Sequence, residues 1–166
     1  MGTPMTTRLV AAGYDVHGFD VAEAARARFA EVGGTPADTA ALAVEGADVI
    51  MAVAGPVGQG TAEAIQAAGN AWFIGVDADW TLTAPKYTDI ILTSVLKNID
   101  VAVFDTIKQA SATDFEGFNG ESYVGTLEND GVGLASVASG VISDDVQNEL
   151  DNITKDIIKG KIDTGW

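Results

Sequence analysis

Two aspartates, Asp77 and Asp79, and the turn Ala54–Gly60 are the residues of this 166-residue chain best placed by type and spacing to meet a ligand. Each lies where a short apolar run stops. Asp48–Val53 is apolar and β-branched, as a strand buried on both faces requires. Ala54-Gly55-Pro56 breaks that run, and Gly58 and Gly60 keep the turn loose. Thr61–Ala68 then has helical composition and stops at Gly69-Asn70, a C-cap signal. Trp72–Val76 reads as a second strand ending at Asp77 and Asp79. Two strands joined by a helix predict a parallel βαβ unit. The turn and the acids then share the carboxyl ends of the strands, where open α/β sheets bind ligands. Acids so placed can grip a sugar; they can equally cap the loops that follow.

Other chemistries are narrowed by composition. There is no cysteine, so disulfides and thiolate metal sites are excluded. A single histidine, His17, does not suffice for a zinc site, and it lacks the neighbours a Ser–His–Asp arrangement needs. His17 reads as a sheet-face residue. No catalytic residue, metal or cofactor is assigned, and the chain is not expected to be an enzyme. A formal charge of −15 argues against nucleic acid and anionic membranes as partners. No apolar run approaches the ~18 residues of a membrane span. The start, MGTPMTTRLVAAG, lacks a basic leader and a continuous apolar core, so no signal peptide is read there and a cytoplasmic location is expected. Trp72, Phe73 and Trp80 read as core rather than as a stacking platform.

The elements that must position these residues follow in order. Residues 1–13 predict a helix closed by Gly13, with Met5, Leu9 and Ala12 as its stripe. Tyr14–Asp20 alternates like a strand with Asp20 at its end. Val21–Val32 and Thr39–Val44 predict helices, the second capped by Asp38, and Thr35-Pro36 allows a short edge strand. After the central βαβ unit come a strand at Thr88–Ser94 and a helix at Ile99–Ala110 with Val103 and Ile107 on one face. A polar loop at Phe115–Ser122 leads to a strand at Tyr123–Leu127 and an extended piece at Gly131–Ala135. A last helix, capped by Ser143 or Asp144, runs to Lys159. This order predicts one α/β domain over residues 1–166, with a doubly wound, mostly parallel sheet. A helix comes first where such domains normally open with a strand.

Two resemblances add to this reading. MGTPMTTRLVAAGYDVHGFD resembles the 3-hydroxyisobutyrate dehydrogenase family, whose opening strand leads into a glycine loop, then Pro-Met and a helix. The resemblance implies that Gly2 matches the third glycine of that loop and Asp20 the acid that holds the NAD ribose. The first strand and the first two glycines have no counterpart here, so both are read as vestigial cofactor-binding residues. From about residue 47 onward the chain is similar to the basic membrane protein family of nucleoside-binding lipoproteins, with the type I periplasmic-binding fold. DVIMAVAGPVGQG, GVDADW, TDIILTSVLKNIDVAVFDTIK and YVGTLENDGVGLA carry that similarity, in matching order and spacing. It implies that Gly55, Asp77 and Lys97 face the ligand, with the acid on ribose hydroxyls. The base-stacking aromatic belongs to the family's other lobe, which has no counterpart in this sequence. On an acidic protein Lys97 also reads as a surface counter-ion.

Every arginine lies early, at Arg8, Arg26 and Arg28, and every lysine at or beyond Lys86. Together with the two resemblances, this split suggests a fusion near residues 45–50. The resulting expectation is an engineered chimera with a Rossmann-like or flavodoxin-like three-layer sandwich and no selected activity. Its alternatives are a weak nucleoside- or sugar-binding module and a remnant NAD-binding domain. An exposed sheet edge would suit a homodimer.

Overall fold

The computed structural model describes residues 2–112, 115 and 122–164. They fall into two compact units, one of residues up to Ala47 with those from Asp163 onward, the other Asp48–Ile162.

The first unit holds α1 (Gly2–Ala11), β1 (His17–Gly18), α2 (Glu23–Glu31), β2 (Thr35–Pro36) and α3 (Ala40–Ala43). The expected strand at 14–20 is only two residues long, parallel to β2 with His17 opposite Thr35. It stops early because the chain turns at Asp20, whose Oδ1 accepts the Ala22 N–H at 2.8 Å while its carbonyl accepts from Arg26. That turn also delays α2 to Glu23. The expected cap of α3 moves from Asp38 to Thr39, whose hydroxyl accepts the Leu42 N–H at 3.2 Å. Phe29 packs on the backbone of Gly18 and Gly34, so closely that a Cβ at Gly34 would lie 2.5 Å from its ring. Arg8 donates to the carbonyl of Asp163.

The second unit holds β3 (Val49–Met51), α4 (Gly58–Ala68), β4 (Trp72–Asp77), α5 (Trp80–Thr83), β5 (Ile91–Lys97), α6 (Ile99–Ser111), β6 (Val132–Leu134) and α7 (Asp144–Ile158). Its sheet runs β3-β4-β5-β6; the first three strands are parallel and β6 is antiparallel to β5. This is the mostly parallel, doubly wound α/β arrangement that the strand–helix alternation predicts. The core lies on one face, where Ala62 and Ile65 of α4 meet Phe73, Trp80, Tyr87 and Ile91. Phe73 and Tyr87 are 0% and 1% exposed. Burying two rings of this size stabilises the unit, because each removes a large apolar area from water. Ile99, Val103, Phe104 and Ile107 of α6 stay exposed.

Three elements differ from expectation. β5 begins at Ile91 rather than Thr88, because Pro85–Tyr87 forms a 3₁₀ turn and the Thr88 hydroxyl donates to the Pro85 carbonyl at 2.9 Å. α5 was not anticipated; Asp79 starts it by accepting the Thr81 N–H at 2.9 Å. Tyr123–Leu127 forms no strand. Asn129 folds that segment into a turn, its Oδ1 accepting from the Thr126 and Gly131 N–H groups and its Nδ2 donating to the Val124 carbonyl. Of the expected loop at Phe115–Ser122, residues 116–121 lie outside the described residues.

Candidate functional site

The carboxyl ends of β3, β4 and β5 each deliver one of the expected ligand residues. After β3 the chain enters a 3₁₀ turn at Gly55–Val57 that runs directly into α4. Gly55 has φ of +53° and no atom within 4 Å of where a Cβ would stand. A side chain there would be strained by its backbone, not by its neighbours. β4 ends at Asp77, and β5 at Lys97, in adjacent register with Asp77 opposite Leu96.

The structure separates the two strand-end acids. Asp79 is consumed as a cap, since its Oδ1 accepts both the N–H and the hydroxyl of Thr81, at 2.9 and 2.7 Å. Asp77 is free of such a role. Its φ is +71°, a left-handed conformation costing a non-glycine residue roughly 1–2 kcal/mol. Its carboxylate lies 3.2 Å from Lys97 Nζ, and both side chains are more than half exposed. An ion pair this exposed contributes about 0–1 kcal/mol at most. Stability does not account for the arrangement: a strained backbone presents a carboxylate and an ammonium side by side at the strand ends.

The base of this edge is tied down by hydrogen bonds. Asn98, next to Lys97, donates its N–H to the Gly131 carbonyl at 3.0 Å and its Nδ2 to the Asp130 carbonyl at 2.7 Å. The Asn129 turn is thereby tied to the end of β5. Nearby, the Tyr123 phenol is held above its ordinary pKa, first by burial and then by the charges of Asp105 and Asp130. The sequence signal for this brace was the Asn129-Asp130-Gly131 turn, whose role toward β5 could not be read locally.

Gly2 and Asp20, the other expected site residues, belong to the first unit. Gly2 is the first residue of α1, and Asp20 is engaged in its own turn. His17 Nε2 lies 3.0 Å from Asp15 on an exposed surface. Among the described residues, no cluster of three or more acidic, histidine or cysteine side chains could hold a metal. Two concavities open at the opposite, amino ends of the strands, around Trp72 and Asp89. Neither is lined by Gly55, Asp77 or Lys97.

Residues 35–164 match the Bmp family, described as "ABC transporter substrate-binding protein PnrA-like". The chain belongs to this family. A CD4+ T-cell-stimulating antigen of Listeria monocytogenes is 36% identical over 129 residues, covering 70% of this chain and 35% of the antigen. Its counterpart from Listeria innocua is 35% identical over the same length and coverage. The chain thus spans about a third of the length of these relatives. A solute-binding protein of an ABC transporter system from Conexibacter woesei superposes with a TM-score of 0.53 at 22% identity, over 74% of this chain and 39% of that one. One from Aeropyrum pernix superposes with 0.61 at 18% identity, over 98% of this chain and 63% of that one. Those two likenesses speak to the fold alone.

The family assignment corrects three expectations. The Bmp match begins at residue 35 and runs through 45–50 without a break, and the Aeropyrum pernix likeness covers nearly the whole chain. The chain is therefore a natural Bmp-family protein, neither an engineered chimera nor a dehydrogenase remnant. A helix, a glycine and a short strand ending in an acid are compatible with more than one doubly wound fold, so MGTPMTTRLVAAGYDVHGFD alone does not identify a family. The segregation of nine basic residues carries no more weight. With the dehydrogenase resemblance goes the ground for giving Gly2 and Asp20 a cofactor role. The cytoplasmic location is also overturned, since substrate-binding proteins of ABC transporters work outside the cytoplasmic membrane. The Bmp family consists of binding proteins, not enzymes, as the sequence reading expected.

Proposed function

We propose that Gly55, Asp77 and Lys97 form one wall of a small-molecule site that takes a nucleoside or a free sugar. The observation that carries this reading is the Asp77–Lys97 pair, exposed and held on a left-handed backbone at the strand ends. A carboxylate can accept two hydrogen bonds from a vicinal diol, and an adjacent ammonium can donate to the ring or hydroxyl oxygens. Gly55, without a Cβ, lets a ligand approach the backbone closely. The pair is mutually neutralised, which suits an uncharged polyol better than an anion. Both side chains are largely in water, so this wall alone buries little of a ligand, and the expected dissociation constant is ~mM.

An amide-resolved NMR titration with inosine, ribose and NAD tests the reading. Inosine and ribose are expected to shift the amides of Gly55, Asp77 and Lys97, and Asp77→Ala to abolish the shifts while leaving the spectrum folded. Shifts gathered instead around Trp72 and Asp89, or none at tens of mM, would refute it.

A further inference from the structure

The acid at the end of β4 does not hold its conformation alone. Three residues later the chain returns to the sheet at Trp80, whose indole packs against Gly75. A Cβ at Gly75 would stand 2.6 Å from Trp80 Cδ1 and 2.6 Å from Ser94 Oγ, so only glycine admits the ring there. Two hydrogen bonds fix the returning residue. Trp80 Nε1–H donates to the Val76 carbonyl at 3.1 Å, and the Trp80 backbone N–H donates to Ser94 Oγ at 3.2 Å. Ser94 is wholly buried, and the Trp80 ring also meets Phe73 with centroids 4.9 Å apart.

The first of these bonds has a direct geometric effect. The Val76 carbonyl belongs to the peptide plane between Val76 and Asp77. Rotation of that plane about the Asp77 N–Cα bond is the φ angle of Asp77. Holding the carbonyl fixes one side of that bond, and the return of the chain to Trp80, whose N–H is fixed on Ser94, limits the other. The second bond ties the same turn to β5, three residues before Lys97. We propose that Trp80, seated on Gly75 and anchored by Ser94, is a positioning residue for the ligand group Asp77. It holds Asp77 left-handed and its carboxylate beside Lys97. This inference rests on the binding role proposed above for Asp77, which it deepens by naming what aims that residue. A buried indole N–H must find an acceptor somewhere, so what bears on Asp77 is which acceptor it takes. Here the N–H ends on the carbonyl next to the strained residue.

Trp80→Phe separates the two roles, because it keeps a buried ring and removes the donor. Two readouts on the full chain are needed. One is ligand-free: the HN–Hα coupling and Cα shift of Asp77, which report its φ. The other is the dissociation constant for inosine. In Trp80→Phe the left-handed signature of Asp77 should be lost and inosine should bind about tenfold more weakly, the scale of one buried hydrogen bond. Ser94→Ala, which adds no bulk, should act in the same direction at about threefold. It carries the test by itself if Trp80→Phe does not fold. An unchanged Asp77 coupling with unchanged inosine affinity in these variants would overturn the inference and leave Trp80 a core residue. If the unmodified chain does not bind inosine, the nucleoside reading falls separately. The coupling of Asp77 then still decides whether Trp80 and Ser94 set its conformation.

Discussion

The two units are built from the same alternation of strand and helix, yet they hold together in different ways. Among the described residues, every buried apolar side chain lies in the second unit, from Ala62 to Ala135. The first unit buries Thr6 and Gly34 and rests Phe29, half-exposed, on the backbone of two glycines. α2 has no buried residue and no side-chain cap, while α4 contributes Gly58, Ala62 and Ile65 to a continuous core. Secondary-structure pattern is therefore shared, and burial is not. Burial is what supplies free energy in proportion to area. The second unit also keeps its exposed strain, at Asp77, between the buried residues Val76 and Trp80 of the chain. A strained group can persist only where its surroundings over-determine it.

The sharpest way to break the comparison is at Phe73. Phe73→Ala removes a fully buried ring between α4 and Trp80 and should cost about 3–5 kcal/mol. Urea unfolding followed by tryptophan emission reads it out. A loss under 1 kcal/mol would mean that the second unit does not rest on this core. The matching change in the first unit is Gly34→Ala, whose methyl would meet the Phe29 ring. Overpacking there should cost about 1–3 kcal/mol. Hydrogen exchange should accelerate over residues 2–47 and leave β4 and β5 protected. Acceleration across β4 and β5 as well would show that the two units unfold as one.

Legibility in the sequence followed the same divide. Asp48–Val53 and Trp72–Val76 could be read as unbroken apolar runs, and both strands exist, trimmed or extended by one to two residues, but only β4 is largely buried; β3 has no buried residue and Val49 is exposed. Gly69 was legible as a cap because only a left-handed residue ends α4 there, at φ of +68°. The three carboxyl-end residues were legible from the βαβ order and a family resemblance, and Asp77 and Lys97 do pair. What could not be read depends on contacts distant in sequence. The start of β5 is set by Tyr87 entering the core, and Tyr123–Leu127 is turned aside by Asn129. The bond from Trp80 to Ser94 spans fourteen positions and leaves no periodic trace. The first unit misled for the opposite reason. Its local pattern was clear but common to many folds, and little packing distinguishes it.

Helix caps give a finer comparison, since the same chemistry occurs in both units. Ser143 caps α7, its hydroxyl accepting the Val146 N–H at 3.4 Å, and Thr39 caps α3. Replacing either with alanine removes one bond of a kind worth about 1 kcal/mol. α7 is fifteen residues long and α3 only four. Ser143→Ala should therefore fray the first turn of α7 and leave the rest helical. Thr39→Ala should unwind α3 altogether, because so short a helix cannot outlast its nucleus. Amide exchange at Val146 and Leu42 measures both. Equal fraying in the two would mean that helix length does not matter at these sites.

The smallest expected effect sits at the other end of α7. Gly160 closes that helix, its N–H donating to Ile157 and that of Lys161 to Asp156. The Lys161 ammonium then reaches back to the Asp156 carboxylate at 2.8 Å. This hydrogen bond, with the charges of Lys161 and Lys159, holds Asp156 below its ordinary pKa of 3.8 against the opposing effect of burial. A carboxyl whose folded pKa is lowered binds its proton more readily in the unfolded chain. The ionised form therefore stabilises the fold above the ordinary value, and that contribution is lost as pH falls through the lowered one. The pair is exposed, so salt should weaken it as well. Lys161→Ala should lower the melting temperature slightly at neutral pH. The difference from the unmodified chain should then vanish well below pH 3.8, where Asp156 is protonated in both. Comparing the two proteins at each pH cancels the titration of the other acids. A difference that persisted at low pH would show that Lys161 acts through its aliphatic stem, and that the closure of α7 owes nothing to charge.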